Sequence, residues 1–299
     1  QRAGGSWRGT GERLQFDHWP VVATSFSLLF LSRGRTPVLL TKLAYGSPDN
    51  TDWNNKHSDV RHLADFASRE LFKKRPLAWQ IFDVRRMDSN RAAEGKLAAE
   101  LLQSPIVYFN GHDQAPDDRE ARILKDYLDN GGFVFAEACC GSKDFDRSFR
   151  KLVPRICEEG KLELLPANHP VWQASGKFLV APNRRFPLYG VQQGCKTVLI
   201  YSPKPLAGYW EDNLFDQEQG RQAFRLGANV IAYATGLVPP RPRGTQAEVV
   251  DEDRGPKPRR GYLKVAQLIH DGDYRPAPKA MLHLMKEARK AGLDVVLKK

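Results

Sequence analysis

The chain has 299 residues, 41% of them hydrophobic and 27% charged, which is apolar material for one full core and part of a second. No apolar run reaches the roughly 20 residues that a membrane span needs; the longest, PVVATSFSLLFL, covers residues 20–31 and reads as a core helix. The formal charge of +11 sits at the ends: residues 1–37 carry 5 basic and 2 acidic side chains, residues 38–237 carry 27 and 25, and residues 238–299 carry 14 and 8. Binding to a phosphate backbone needs basic groups gathered on one surface, so this distribution argues for solvated ends and against a nucleic-acid partner.

In chain order, residues 1–37 form a first unit. QRAGGSW is followed by an apolar helix that is expected to start near Pro20, where a first-turn proline costs no hydrogen bond, and to stop at Gly34. The chain opens on Gln1 with no charged-then-apolar leader, so it is expected to be cut from something longer, and its compartment stays unassigned.

From residue 38 short apolar runs alternate with helical segments. VLLTKLAY reads as a buried strand, 56–73 as a helix, WQIFDV as a strand, 91–102 as a helix and IVYFNG as a strand. Helix 117–129, strand GFVFAEA and a helix over about 143–153 follow. Strands rich in valine, isoleucine and phenylalanine, each followed by a helix, indicate a mostly parallel sheet covered on both faces. Right-handed crossovers make that a three-layer α/β sandwich. After residue 160 the regularity weakens: KLELLP, HPVW and KTVLIYSP are read as shorter strands and loops, and EQGRQAFRLGANVIAYATG as a long helix closed by Gly236.

Residues 238–261, rich in proline, glycine and mixed charge, read as a linker. Beyond it the segment from Lys42 to Leu63 returns: Leu43 matches Leu268, Asp52-Trp53 matches Asp273-Tyr274, and His62-Leu63 matches His283-Leu284, with the same acid-to-histidine spacing. One strand–helix–strand unit cannot cover its own apolar faces. Residues 262–299 are therefore expected to open a second, truncated copy of the α/β domain.

Two resemblances follow from these residues. Gln1, Gly5 and Trp7 ahead of an apolar helix resemble the last repeat of the α/α toroid of squalene-cyclase and prenyltransferase-like proteins. VYFNGHD, YLDNGGFVFAEACCGSKDFDRSFR, HPVW, VLIYSP and AFRLGANVIAYATG, in that order, resemble the bacterial domain-of-unknown-function family 4159 over residues 38–237. That family resembles the class I glutamine amidotransferase-like fold, a flavodoxin-type sandwich, and the resemblance brings no catalytic assignment with it. An upstream toroid and a downstream second copy are the partners it implies within one polypeptide.

In an open α/β sheet, ligands bind beyond the carboxyl ends of the strands. YGSPDNTDW, NGHD and EACCGS all leave strands at that edge. A sharp strand-to-helix turn with Gly141 exposes one side chain and aims backbone N–H groups beside it, which suits a nucleophile and its oxyanion. Cys139, in Cys-x-Gly, takes the nucleophile position of amidotransferase-like relatives, with His112 or His169 as base and the amides of Cys140 and Gly141 on the oxyanion. Strand alternation puts Glu137 and Cys139 on one face and Cys140 on the other, so the turn could present Glu137 instead of Cys139. Amidotransferases of this class use His-Pro-Glu; this chain has His169-Pro170-Val171 and lacks the acid.

The competing reading is a binding or scaffolding module for a small molecule or carbohydrate. Its pocket would be framed by Asp52, Trp53, Asn110, Gly111, Glu137, Cys140 and Gly141, with the cysteines structural. Cys139, Cys140, Cys157 and Cys195 are too sparse for a disulfide framework and have no CxxC spacing, so free thiols are expected. No cofactor is expected. Nor is a metal, because neither Glu137 with Asp146 nor His112 with Asp113 has a ligand spacing that singles out an ion.

Overall fold

The computed structural model describes residues 19–34, 36–85, 91–158, 160–243 and 279–293. Among them seven strands form one sheet: β1 Val38–Ala44, β2 Ala78–Asp83, β3 Ile106–Gly111, β4 Phe133–Ala138, β5 Leu162–Leu164, β6 Tyr189–Gln193 and β7 Lys196–Ser202, in the order β2-β1-β3-β4-β7-β6-β5. The first four and β7 pair in parallel; β6 alone runs against its neighbours.

Period-two alternation divides the strand side chains between two cores. Leu40, Ile106, Tyr108, Phe133, Phe135 and Ile200 pack on one face against helices α2 (Asp59–Glu70), α6 (Ala207–Glu211) and α7 (Glu218–Thr235). Val107, Phe109, Val134, Ala136, Leu199 and Tyr201 pack on the other against α3 (Arg91–Leu101), α4 (Asp118–Asp129) and α5 (Lys143–Ile156). With apolar residues on both faces the central strands need no polar side, which is why they read as continuous runs. The fold is the three-layer α/β sandwich that the sequence implies.

The differences are local. β6, which no sequence pattern singled out, is a short polar strand, YGVQQ, with only Gly190 and Val191 buried. HPVW is a 3-10 turn, Pro170–Gln173, because the His169 side chain caps the N–H of Val171 and proline fills the first position. The first helix, Pro20–Gly34, has the expected bounds, and α7 ends at a left-handed Gly236. In the expected second copy a helix covers Ala280–Lys290; residues 262–278 and 294–299, with Asp273, Tyr274 and most of the final strand, lie outside the described residues. So does the 1–7 motif.

A buried ion pair ties the first loop to the sheet. Lys42 on β1 is 1% exposed and donates to both carboxylate oxygens of Asp59 at 2.8 and 2.9 Å, and also to the carbonyl of Lys56. Val60 N–H at 2.6 Å and Asn110 Nδ2 at 3.4 Å also donate to the Asp59 carboxylate. Removing one partner of a buried pair strands the other charge, at a cost of about 3–5 kcal/mol, whereas replacing both by apolar residues is often near neutral. In urea denaturation Lys42→Met is therefore expected to lose roughly 3 kcal/mol, and Lys42→Met with Asp59→Leu to regain most of it.

Candidate functional site

β4 lies in the interior of the sheet, between β3 and β7, and ends at Ala138. A single 3-10 turn, Cys139–Gly141, then leads into α5, whose first amides bond to the Ser142 hydroxyl. Strand alternation stops with the strand. Cys139 stays buried, while Cys140 turns outward with φ 54° and ψ 13°, a left-handed conformation that costs an L-residue roughly 1–2 kcal/mol. Gly141 follows at φ 72°, so two successive residues are left-handed. The elbow thus presents Cys140, not Cys139 or Glu137, at the carboxyl edge of the sheet.

His112 arrives beside it from the end of β3. The carbonyl of His112 accepts from the Ser142 hydroxyl and from Phe145 N–H at 3.2 Å, which stitches its loop to the start of α5. Gly111 permits the approach: a Cβ there would collide with the Tyr45 hydroxyl and the Phe145 ring. Asp52, on the 3-10 turn after β1, holds the histidine. Its Oδ1 lies 2.6 Å from Nδ1 and its Oδ2 accepts the His112 and Asp113 amides at 2.5 and 3.3 Å. Asn50 Oδ1 in turn accepts from the Asp52 amide at 2.9 Å. With Nδ1 engaged by a carboxylate, Nε2 is the ring nitrogen left for the thiol.

The charges follow this geometry. The neighbouring His112 imidazole holds the Cys140 thiol below its ordinary range, against partial burial. Burial alone would lower His112; the neighbouring Cys140 thiol and the bond to Asp52 outweigh that and raise it. Burial pushes Asp52 up, but the His112 bonds win and hold it low. Cys139 goes the other way: burial, with the nearby Glu137 and Cys140 charges, pushes its thiol far up. Two adjacent cysteines therefore differ in kind, one exposed and anion-prone, the other buried and protonated.

Beneath the elbow lies a buried polar floor. Cys139 donates to Asn55 Oδ1 at 3.1 Å, Asn55 Nδ2 reaches Asn110 Oδ1 at 3.3 Å, and Asn110 Nδ2 donates to the Tyr108 hydroxyl at 3.0 Å. Tyr108 points at Glu137 Oε2 at 3.4 Å, which also accepts Ala207 N–H at 2.9 Å, while Oε1 has no partner. Glu137 is wholly buried, and that burial raises its carboxyl to about 8.

Of the residues singled out from the sequence, Cys139, Cys140, Gly141, His112 and Asp52 are brought together. Asn110 and Glu137 sit fully buried under them, and Trp53 is 9% exposed in the core with Arg85 over its ring. His169 is at the far edge, near the start of β7, bonded to Thr197 Oγ1 at 2.9 Å and against the Tyr233 ring. Asp146 accepts from Tyr201 on the face opposite Glu137. His62, the histidine of the repeated pair, donates to the Trp210 carbonyl at 2.7 Å and does not meet Asp52. Asn55 was missed; only its place in the loop after the first strand marked it. Cys139, Cys140 and His112 also place three metal-ligating atoms within 4.8 Å of one another. A groove of about 380 Å³ at the opposite sheet edge, lined by Leu102, Pro105, Gly131 and Val238 among others, has Arg241 as its ionisable group and no thiol or histidine.

The fold and site define an α/β sandwich with a cysteine-bearing strand-to-helix elbow. The chain belongs to the family described as Domain of unknown function (DUF4159), whose model matches residues 39–235. No curated protein matches it. Among the described residues no helix is long and apolar enough to cross a membrane.

Proposed function

We propose that the domain is a thiol-dependent acyl-transfer or hydrolytic module in which Cys140 is the nucleophile, His112 the general base and Asp52 the residue that orients it. The observation that carries this reading is the left-handed Cys140 on an elbow beside a histidine whose other nitrogen is held by a carboxylate at 2.6 Å. The amidotransferase-like resemblance supports a thiol at this turn; the nucleophile moves one residue along from Cys139, and Asp52 replaces the acid that His169-Pro170-Val171 lacks. The ligand-module reading loses support, because Trp53, Asn110 and Glu137 are buried and Asp52 is occupied by His112.

In the first step the Cys140 thiolate attacks an acyl carbonyl, and the proton taken from the thiol rests on His112 Nε2. Backbone amides of Cys140 and Gly141 are assigned to the oxyanion, and the turn leads into the positive end of α5. His112 returns the proton to the leaving group, giving a thioester on Cys140. It then takes a proton from water, whose attack frees the acid and the thiol.

The test is a burst experiment. Full-length protein mixed with 4-nitrophenyl acetate, with a chelator present, is expected to release about one nitrophenol per chain rapidly, with the acetyl group found on Cys140 by peptide mass spectrometry. An acetyl group on another residue, or no burst, overturns the reading.

The exposed Val21, Phe26, Leu28 and Phe30 of the first helix support its assignment to a larger toroid-like helical unit. The acid–histidine spacing supports a second copy of the domain after the linker.

A further inference from the structure

The same turn carries a second chemistry that does not depend on acyl transfer. Cys139 Sγ and Cys140 Sγ lie 3.7 Å apart. A zinc ion bound tetrahedrally by two thiolates at about 2.3 Å holds its sulfurs about 3.8 Å apart, so the pair already spans one edge of that tetrahedron. A disulfide needs sulfurs at about 2.05 Å, far inside this separation, and between adjacent residues it strains the peptide.

The third vertex is His112. Its ligating nitrogen falls within the 4.8 Å that contains all three donor atoms, so about 1 Å of side-chain closure completes the set. Asp52 on Nδ1 supplies what a metal-bound histidine ordinarily has, a carboxylate on the other ring nitrogen that fixes its tautomer and orientation. Two thiolates balance a divalent charge. Cys140 is exposed, which gives an entry path and leaves a fourth position open to solvent.

We propose that Cys139, Cys140 and His112 form a three-ligand site for a thiophilic cation of the Zn²⁺ class, oriented by Asp52. Cys139 has no part in the acyl-transfer reading, and this site gives it one. Where that reading also holds, the cation occupies the nucleophile and its base together, so metal binding switches the thiol off.

Cobalt(II) serves as the spectroscopic probe. Titration of reduced, metal-free full-length protein is expected to give one equivalent per chain, with a thiolate-to-cobalt charge-transfer band and tetrahedral d–d bands, all displaced by Zn²⁺. Cys139→Ser and Cys140→Ser should each remove about half of the charge-transfer intensity and weaken binding at least a hundredfold. Asp52→Asn should keep the spectrum and lose 10- to 100-fold in affinity. Circular dichroism of each variant confirms folding, and Cys195→Ser is the control that should change nothing. Absence of stoichiometric binding at micromolar cobalt overturns the proposal, as does a band that survives in the double Cys139→Ser, Cys140→Ser variant or is unchanged in Cys139→Ser. Because absorption reads the metal and nitrophenol reads acyl transfer, either proposal can fail while the other stands.

Discussion

Replacing Cys140 by alanine is expected to abolish the fast alkylation of the metal-free protein by iodoacetamide at pH 7, while Cys139→Ala leaves its rate within about threefold. The internal standard is Cys195, which is also exposed but lies in the turn between β6 and β7, away from the elbow. An ordinary thiol with a pKa of about 8.5 is only a few per cent thiolate at pH 7. A thiol whose pKa is lowered has a larger reactive fraction at pH 7 and gives part of that gain back in intrinsic nucleophilicity. Cys140 should therefore react faster than Cys195, and its rate should reach a plateau at lower pH. His112→Gln removes the imidazole that lowers the thiol and should slow Cys140 towards the rate of Cys195. Equal rates for Cys140 and Cys195 in the wild-type protein would mean that the histidine does not act on the thiol.

The second large effect lies under the elbow. Glu137→Gln is expected to make the protein more stable at pH 8.5 by several kcal/mol and to leave stability at pH 4.5 nearly unchanged. Burial puts the carboxyl at about 8 in the folded state, above its usual value of 4.5. A raised acid contributes stability that is fully present below the unfolded value and is lost as pH rises through the folded one, here between about 4.5 and 8. The whole cost is on the order of 3–5 kcal/mol. Glutamine copies the protonated acid: its carbonyl accepts from Ala207 N–H and Tyr108, and its NH₂ replaces the acid proton. Tyr108, Cys139 and the Asp59–Lys42 pair all bear on this floor, so the quantity to read is the difference between wild type and variant in urea denaturation across pH. A difference that does not grow between pH 5 and 8 would show that Glu137 is ionised when folded.

The sheet was legible where both faces of a strand are buried. β3 and β4 read directly as IVYFNG and GFVFAEA, because parallel strands covered by helices are apolar throughout. β6 was not, since its polar residues carry neither an apolar run nor clean alternation. At the site, glycine and the end of an apolar run located the turn. They did not tell which cysteine faces the crevice, because alternation predicts orientation only while the chain is a strand, and β4 stops at Ala138. Nor did any local pattern announce Asp52 as the partner of His112, 60 residues away; β1 and β3 are neighbours in the sheet, and that adjacency alone brings the two loops together. His169, with its tempting His-Pro, is a helix cap, a role set by the residues that follow it.

β4 is paired along its length with the parallel β3 and over residues 134–137 with the parallel β7. Its amide hydrogens, from Phe133 to Ala138, should exchange with solvent only when the whole domain opens, among the slowest in the molecule. A turn hung from such a strand cannot drift independently of the body that carries it. A denaturant series scored by the selectivity between two alkylated cysteines would then trace the global transition itself.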